Sequence, residues 1–236
     1  MPELREISTV QTIIMMALPL VLAIVLHEVA HGYVAWMKGD DTAKVMGRLT
    51  LNPLAHVDLF GTIILPLIFY FSVGMLFAFA KPVPVNFMAL RRPKEDMVWV
   101  AAAGPSTNLT LALLSALGIK LFAAFFPDTN MYINYISRFH PQMPANASPF
   151  LFPLTGMLYY SVVLNSILAI INLIPIPPAD GGRIMVGLLP RRAAIAYAQI
   201  EPFGIPLLII LIMLDPFGVT HRIISYFLYG IMRLLL

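Results

Sequence analysis

Polar residues are confined to short stretches between long apolar runs, and these runs lack the period-two alternation of a half-buried strand. The runs cover Val10–Leu26, Phe60–Ala80, Met97–Phe126 and Pro149–Ile174, followed by two shorter ones, Gly204–Leu214 and Val219–Leu236. Roughly 20 residues at 1.5 Å each cross a hydrocarbon core about 30 Å thick, so the longer runs are of spanning length. The pattern predicts an all-α membrane protein, a polytopic helical bundle of about five to six membrane segments. Pro202, Gly204 and Pro206 interrupt the fifth segment, and the last two are short for complete spans. The longest polar connections, Met37–Leu59, Lys81–Asp96 and Pro127–Ser148, are too short for a separate soluble domain, so residues 1–236 read as one membrane domain.

Composition agrees with the pattern. Of 236 residues, 59% are hydrophobic and 11% charged, and the mean hydropathy of +0.84 is far above that of a soluble globule. The first run follows Glu3, Arg5 and Glu6 rather than a basic stretch and lacks a small-residue cleavage pattern, so it is expected to stay in the protein. The net charge of +3 reflects basic residues gathered in loops beside the spans, which speaks to orientation and not to nucleic acid. Lys81, Arg91, Arg92, Lys94, Arg183, Arg191 and Arg192 are assigned to the cytoplasmic side, and Pro127–Ser148, with Arg138 against Asp128, to the outside. If the first helix also ends on the cytoplasmic side, Met37–Asp96 must cross the membrane an even number of times. Pro66 and Gly74 interrupt the one apolar run there, which predicts a re-entrant or broken hairpin over Phe60–Ala80.

Two histidines and a glutamate break the first run in VLAIVLHEVAHGYVAW: His27, Glu28 and His31 spell H-E-x-x-H. On a helix, positions i and i+4 lie about 40° apart around the axis and one turn apart along it, so both imidazoles reach one metal ion. Glu28, beside the first ligand, is placed to act as general base on a metal-bound water. An ionisable residue inside a span costs about 2.5 to 3.5 kcal/mol on insertion scales, which favours function over helix packing. With no cysteine in the chain, the remaining ligands must offer nitrogen or oxygen, and Zn2+ is the expected ion.

Three further stretches bear on this site. In INLIPIPPADGGR, Pro175, Pro177 and Pro178 end the preceding helix, and Asp180 then either completes a His, His, Asp set or caps the next helix. In AAAGPSTN, Gly104 and Pro105 allow close helix approach; Asn108 either offers its amide to a scissile carbonyl or joins two helices. KPVPVN reads as a small extended strand near the active site or as a proline-rich turn. As a strand, Pro82 and Pro84 strip one edge of donors, leaving Val83 and Val85 to pair with an unwound substrate. His56 is a candidate auxiliary ligand, proton donor or support for a ligand, against the alternative of an interfacial hydrogen-bonding residue; His140 and His221 lack ligand spacing. Asn165 and Asn172, seven apart, share a helix face and suit helix bridging.

HEVAH, AGPSTN and NLIPIPPADGG, in this order on separate apolar segments, resemble the site-2 protease family of intramembrane zinc metalloproteases. The resemblance runs through a catalytic core of about 10–187, leaving C-terminal membrane segments of about 193–236. GRLTLNPLAHVDLFGTIILP and AKPVPVN resemble the compact prokaryotic branch without a PDZ domain. It implies that His27, His31 and Asp180 bind zinc, that Glu28 activates water, and that Asn108 positions the scissile peptide. Asn172 opens the motif that Asp180 closes, and is a second candidate for supporting the ligands. Ala179 stands where many relatives have leucine, a change of packing and not of ligand. The implied partners are a transmembrane protein substrate and the lipid bilayer, and the implied location is a prokaryotic cell membrane with the site toward the cytoplasm. A transporter, or a catalytically silent relative binding membrane partners, is the competing expectation. Transporters carry paired helix breaks in repeated halves, and this chain shows no such repeat.

Overall fold

The computed structural model describes residues 4–7, 9–58, 64, 81–137, 142–144, 146–211, 215 and 218–235. These are mostly helical. In chain order come β1 (Leu4–Glu6), α1 (Thr9–Met37), α2 (Thr42–Val45), 3-10 turns at Pro53–His56 and Phe87–Ala89, and α3 (Pro93–Phe125). Then follow α4 (Asp128–Ile136), β2 (Gln142–Pro144), α5 (Leu151–Asn172), α6 (Asp180–Leu188), α7 (Arg191–Ala198), α8 (Glu201–Ile209) and α9 (Val219–Leu235). Among the described residues the sheet is one antiparallel pair, with Leu4, Arg5 and Glu6 opposite Pro144, Met143 and Gln142.

Three of these helices are long and apolar enough to cross a membrane: Val10–Met37 in α1, Pro93–Phe125 and Leu151–Asn172. Their apolar surface is largely outward. Leu109, Leu113, Leu117 and Leu121 recur every fourth residue on α3 and are each 40–55% exposed, a continuous stripe that hydrocarbon can cover and water would not favour. Of the five to six segments expected from the hydropathy pattern, three are found among the described residues. α9 has 17 residues, and α8, with Pro206 inside it, has nine. The hairpin expected over Phe60–Ala80 lies outside the described residues, Ile64 apart.

The chain forms two compact units. One comprises Met1–Ala23, Asn108–Asn172 and Leu207–Leu236. Its core holds Met15, Tyr132, Ile136 and Phe152, with the Tyr132 and Phe152 rings edge to face at 5.2 Å. A second cluster joins Ala116, Ile119 and Val162, and Met232 and Leu235 of α9 pack against it. Polar bridges cross the α3–α5 contact. Ser115 Oγ donates to Ser161 Oγ at 2.7 Å, and Asn108 Nδ2 donates to Asn165 Oδ1 at 2.9 Å, the type of glue that small polar side chains supply between apolar helices.

The other unit comprises Ile24–Thr107 and Leu173–Pro206. Here Ala35, Leu90 and Val100 form the core. Lys38 pairs with the buried Asp96 at 3.1 Å, which fastens the end of α1 to the first turn of α3. Gly39 lets the chain leave α1 with φ of +112°, a conformation that L side chains rarely adopt.

Candidate metal centre

α1 continues past the apolar run through H-E-x-x-H to Met37, so His27 and His31 stand one turn apart on a regular helix. Their Nε2 atoms approach to 3.0 Å. His31 Nδ1 donates to the Val100 carbonyl at 2.7 Å; because a carbonyl only accepts, Nδ1 carries a proton, which leaves Nε2, on the side of His27, as the nitrogen a metal would take. That back-bond orients the ring, as metal-bound histidines require. Gly104 makes room for both rings: a Cβ there would collide with His27 and His31.

The third group arrives on an irregular arm. α5 ends at Asn172 and the chain runs through Pro175, Pro177 and Pro178, with a cis Pro177–Pro178 bond. Gly181 and Gly182 press against this arm. A Cβ at Gly181 would meet the Leu173 and Ile174 carbonyl oxygens, and one at Gly182 would lie 2.6 Å from the Ile176 carbonyl carbon. Glycine is therefore required for α6 to fold back on its own lead-in. Ala179, not Asp180, occupies the N-cap of α6. Asp180 instead turns Oδ2 to 3.2 Å from His27 Nε2 and 3.3 Å from His31 Nε2.

The three ligand atoms therefore form a triangle with sides of 3.0, 3.2 and 3.3 Å. The edge of a coordination tetrahedron with bonds near 2.0–2.1 Å is about 3.3 Å, so the triangle suits one face around zinc. All three residues are buried, and Oδ2 has no well-formed hydrogen bond. Burial pushes the Asp180 carboxyl up, but the two imidazoles beside it outweigh that and hold it at about 2. Two imidazole nitrogens and a carboxylate oxygen converge here on one point, and His27, His31 and Asp180 could hold a cation.

Glu28 is half-buried next to this triangle in sequence, and its Oε2 accepts the Val83 N–H at 2.7 Å. The segment 81–86 forms no regular strand. With prolines at two of six positions it has too few donors for a ladder, and its N–H groups bond to side chains and a turn instead. Lys81 N–H donates to the His56 carbonyl at 2.9 Å, and Asn86 N–H to Asp40 Oδ2 at 2.6 Å. Val83 is buried and Val85 packs beside the Ala35, Leu90 and Val100 cluster.

The remaining expected residues lie elsewhere. Asn108 is fully buried, with Nδ2 donating to Ala23 O at 3.2 Å and to Asn165 Oδ1. His56 is buried and hydrogen-bonds Thr50 O through Nε2 at 2.9 Å, apart from the ligand cluster. Asn172 Nδ2 donates to Leu168 O at 3.0 Å, one turn back on its own helix. Sequence reasoning overlooked the Val100 carbonyl, Asp40 and Arg48. A backbone acceptor has no sequence signature, and the two charged residues sit in connecting text without a recognisable spacing.

Comparison with known proteins identifies the family. The model of peptidase family M50 matches residues 15–214. The Bacillus subtilis protein named "Putative zinc metalloprotease YwhC" is 33% identical over 211 residues, covering 86% of this chain and 81% of that relative. The Mycolicibacterium smegmatis protein named "Putative zinc metalloprotease Rip2" is 27% identical over 211 residues, covering 89% of this chain and 71% of that relative. No solved structure matches the chain. The motifs, the buried His, His, Asp triangle and a family match over most of the length converge: the chain belongs to peptidase family M50, the site-2 protease family, and is a membrane zinc metalloprotease.

Proposed function

We propose that this metalloprotease hydrolyses peptide bonds within or near transmembrane segments of membrane protein substrates. The observation that carries the reading is the position of the ligand pair on a spanning helix: His27 lies about 26 Å along the span that begins at Val10, near the far boundary of a core about 30 Å thick. There it faces lipid-embedded substrate and remains within reach of water. The basic loops on either side of the site orient that boundary toward the cytoplasm. The whole chain acts as one multi-pass protease domain of five to six membrane segments.

In this reading His27, His31 and Asp180 hold the zinc. When bound, the ion supplies a Lewis acid that brings the pKa of a water down to about 7. Glu28 takes the proton of the attacking water at Oε1, since Oε2 accepts from Val83, and then delivers it to the departing amine. Asn108 exchanges one of its two Nδ2 bonds for the substrate carbonyl when substrate enters. A transmembrane helix shields its peptide bonds with its own hydrogen bonds, so the substrate must unwind before cleavage. Val83 and Val85 form the wall against which it extends, and Val85 offers the N–H, because that of Val83 is committed to Glu28. His56 and Asn172 support the fold around the ligands through their backbone acceptors.

The test is to reconstitute the purified protein with a reporter transmembrane protein and locate the severed bond by mass spectrometry. Cleavage inside or within a turn of the reporter's apolar segment supports the reading. Cleavage only in its soluble part, or solute flux without cleavage, contradicts it.

A further inference from the structure

We propose that Arg48 and Asp40, which belong to none of the catalytic motifs, are positioning residues that set the general base Glu28 through the strap Lys81–Asn86. The inference rests on the reading of Glu28 as general base and concerns what holds its carboxylate in place.

The peptide unit between Pro82 and Val83 stands between two opposite charges. Its N–H donates to Glu28 Oε2 at 2.7 Å. On its other side, Arg48 Nη2 donates to the Lys81 carbonyl at 3.0 Å and, at a longer 3.4 Å, to the Pro82 carbonyl of the same unit. A guanidinium at the oxygen end and a carboxylate at the N–H end both align with the peptide dipole, and each polarises the bond the other makes. Arg48 is only 9% exposed and its Nε has no partner. Burying an arginine is costly, and here Nη2 alone reaches two successive carbonyls of the strap.

Asp40 fastens the other end. It is 0% exposed and accepts three donors: the Thr42 N–H at 3.0 Å, the Thr42 hydroxyl, and the Asn86 N–H at 2.6 Å. Lys81 N–H bonds to the His56 carbonyl, so the strap is pinned before, at and after Val83. Gly32, next to the ligand His31, admits the strap to the face of α1. A Cβ at this position would lie 2.7 Å from Val83 Cγ1 and 3.1 Å from Ala43 Cβ. Prolines at 82 and 84 stiffen the segment further by fixing φ. Together these contacts turn an irregular loop into a rigid holder for one carboxylate oxygen, the kind of orientation on which general-base catalysis depends.

The experiment compares wild type with Arg48→Ala, Arg48→Lys and Asp40→Asn in vesicles, using a reporter transmembrane substrate, and measures kcat, KM, zinc content and amide exchange at Val83. Arg48→Ala and Asp40→Asn should each lower kcat about tenfold or more, with KM within about twofold and zinc content as in wild type. Val83 exchange should quicken about tenfold or more, and Arg48→Lys, able to meet one carbonyl, should recover part of both effects. Wild-type kcat, unchanged Val83 exchange, or a rise in KM alone would overturn the proposal, the last because the strap would then serve only to grip substrate. Should Arg48→Ala lose zinc or fail to fold, Asp40→Asn decides on the same criteria. Glu28→Gln is assayed alongside. If it still cleaves, the reading of Glu28 fails; if it is dead while the Arg48 and Asp40 variants run at full rate, only the positioning claim falls.

Discussion

At the scale of single residues the site is built from spacing plus one absent side chain. H-E-x-x-H places two imidazoles on one helix face, but their Nε2 atoms meet at 3.0 Å only because position 104 has no Cβ. Gly104→Ala would press a methyl group into both rings. It should weaken zinc binding by about 10- to 100-fold, the range seen when supports of metal-binding histidines are disturbed, with helix content preserved. Competition against a fluorescent chelator measures this, and unaltered affinity would show that the rings have another place to go. The three candidate ligands that the structure brings together were legible in the sequence, since nitrogen and oxygen donors in a cysteine-free apolar chain have few structural explanations. The ring orientation was not: the His31 back-bond ends on the carbonyl of Val100, and every residue type has a carbonyl.

At the scale of elements, the proline arm decides where Asp180 points. Sequence alone left two roles for that aspartate, capping and coordination. The structure removes the first, because Ala179 takes the cap position and the glycines let α6 fold back onto Leu173–Pro177. Gly204 of α8 also abuts the Pro177 carbonyl, so the arm is held from two sides. Gly182→Ala should therefore destabilise the protein by about 1–3 kcal/mol through overpacking against backbone that cannot yield, and should release zinc. Gly230→Ala, in α9 with no heavy atom beyond its chain neighbours and its own helix backbone within 4 Å of the new Cβ, should be neutral or stabilising by up to about 1 kcal/mol. Thermal unfolding of the two variants in one detergent compares them directly, and equal midpoints would contradict the account. The segment 81–86 shows the limit of period-based reading: its prolines signalled an extended backbone, but the partners of its N–H groups, Glu28 and Asp40, come from residues 55 and 46 positions away.

For the whole molecule, hydropathy identified the three apolar helices that, among the described residues, meet the length needed to cross a bilayer, though the helix ends moved. The first run was read to Leu26, and α1 continues to Met37, because a helix satisfies its own backbone and so can carry polar ligands beyond the apolar stretch. The proposed orientation rests on the charge of the loops. In the cysteine-free chain, a single cysteine at the exposed Asp128 should react with a membrane-impermeant reagent in intact cells, and one at the exposed Lys94 only after permeabilisation. The reverse pattern would invert the topology and put the zinc centre on the outer face. On the proposed reading a hydrated metal must meet an apolar substrate, and a ligand pair near the end of a spanning helix would allow this with little polar backbone exposed to lipid.

The most direct test of the central claim is cleavage of a reporter transmembrane protein by the purified enzyme in vesicles, with Glu28→Gln and a chelated sample beside it. The account predicts cleavage by wild type, recovery after chelation when zinc is restored, and at least about a hundredfold loss in Glu28→Gln at undiminished zinc content. Cleavage by Glu28→Gln at the wild-type rate, or by wild type stripped of metal, would contradict it.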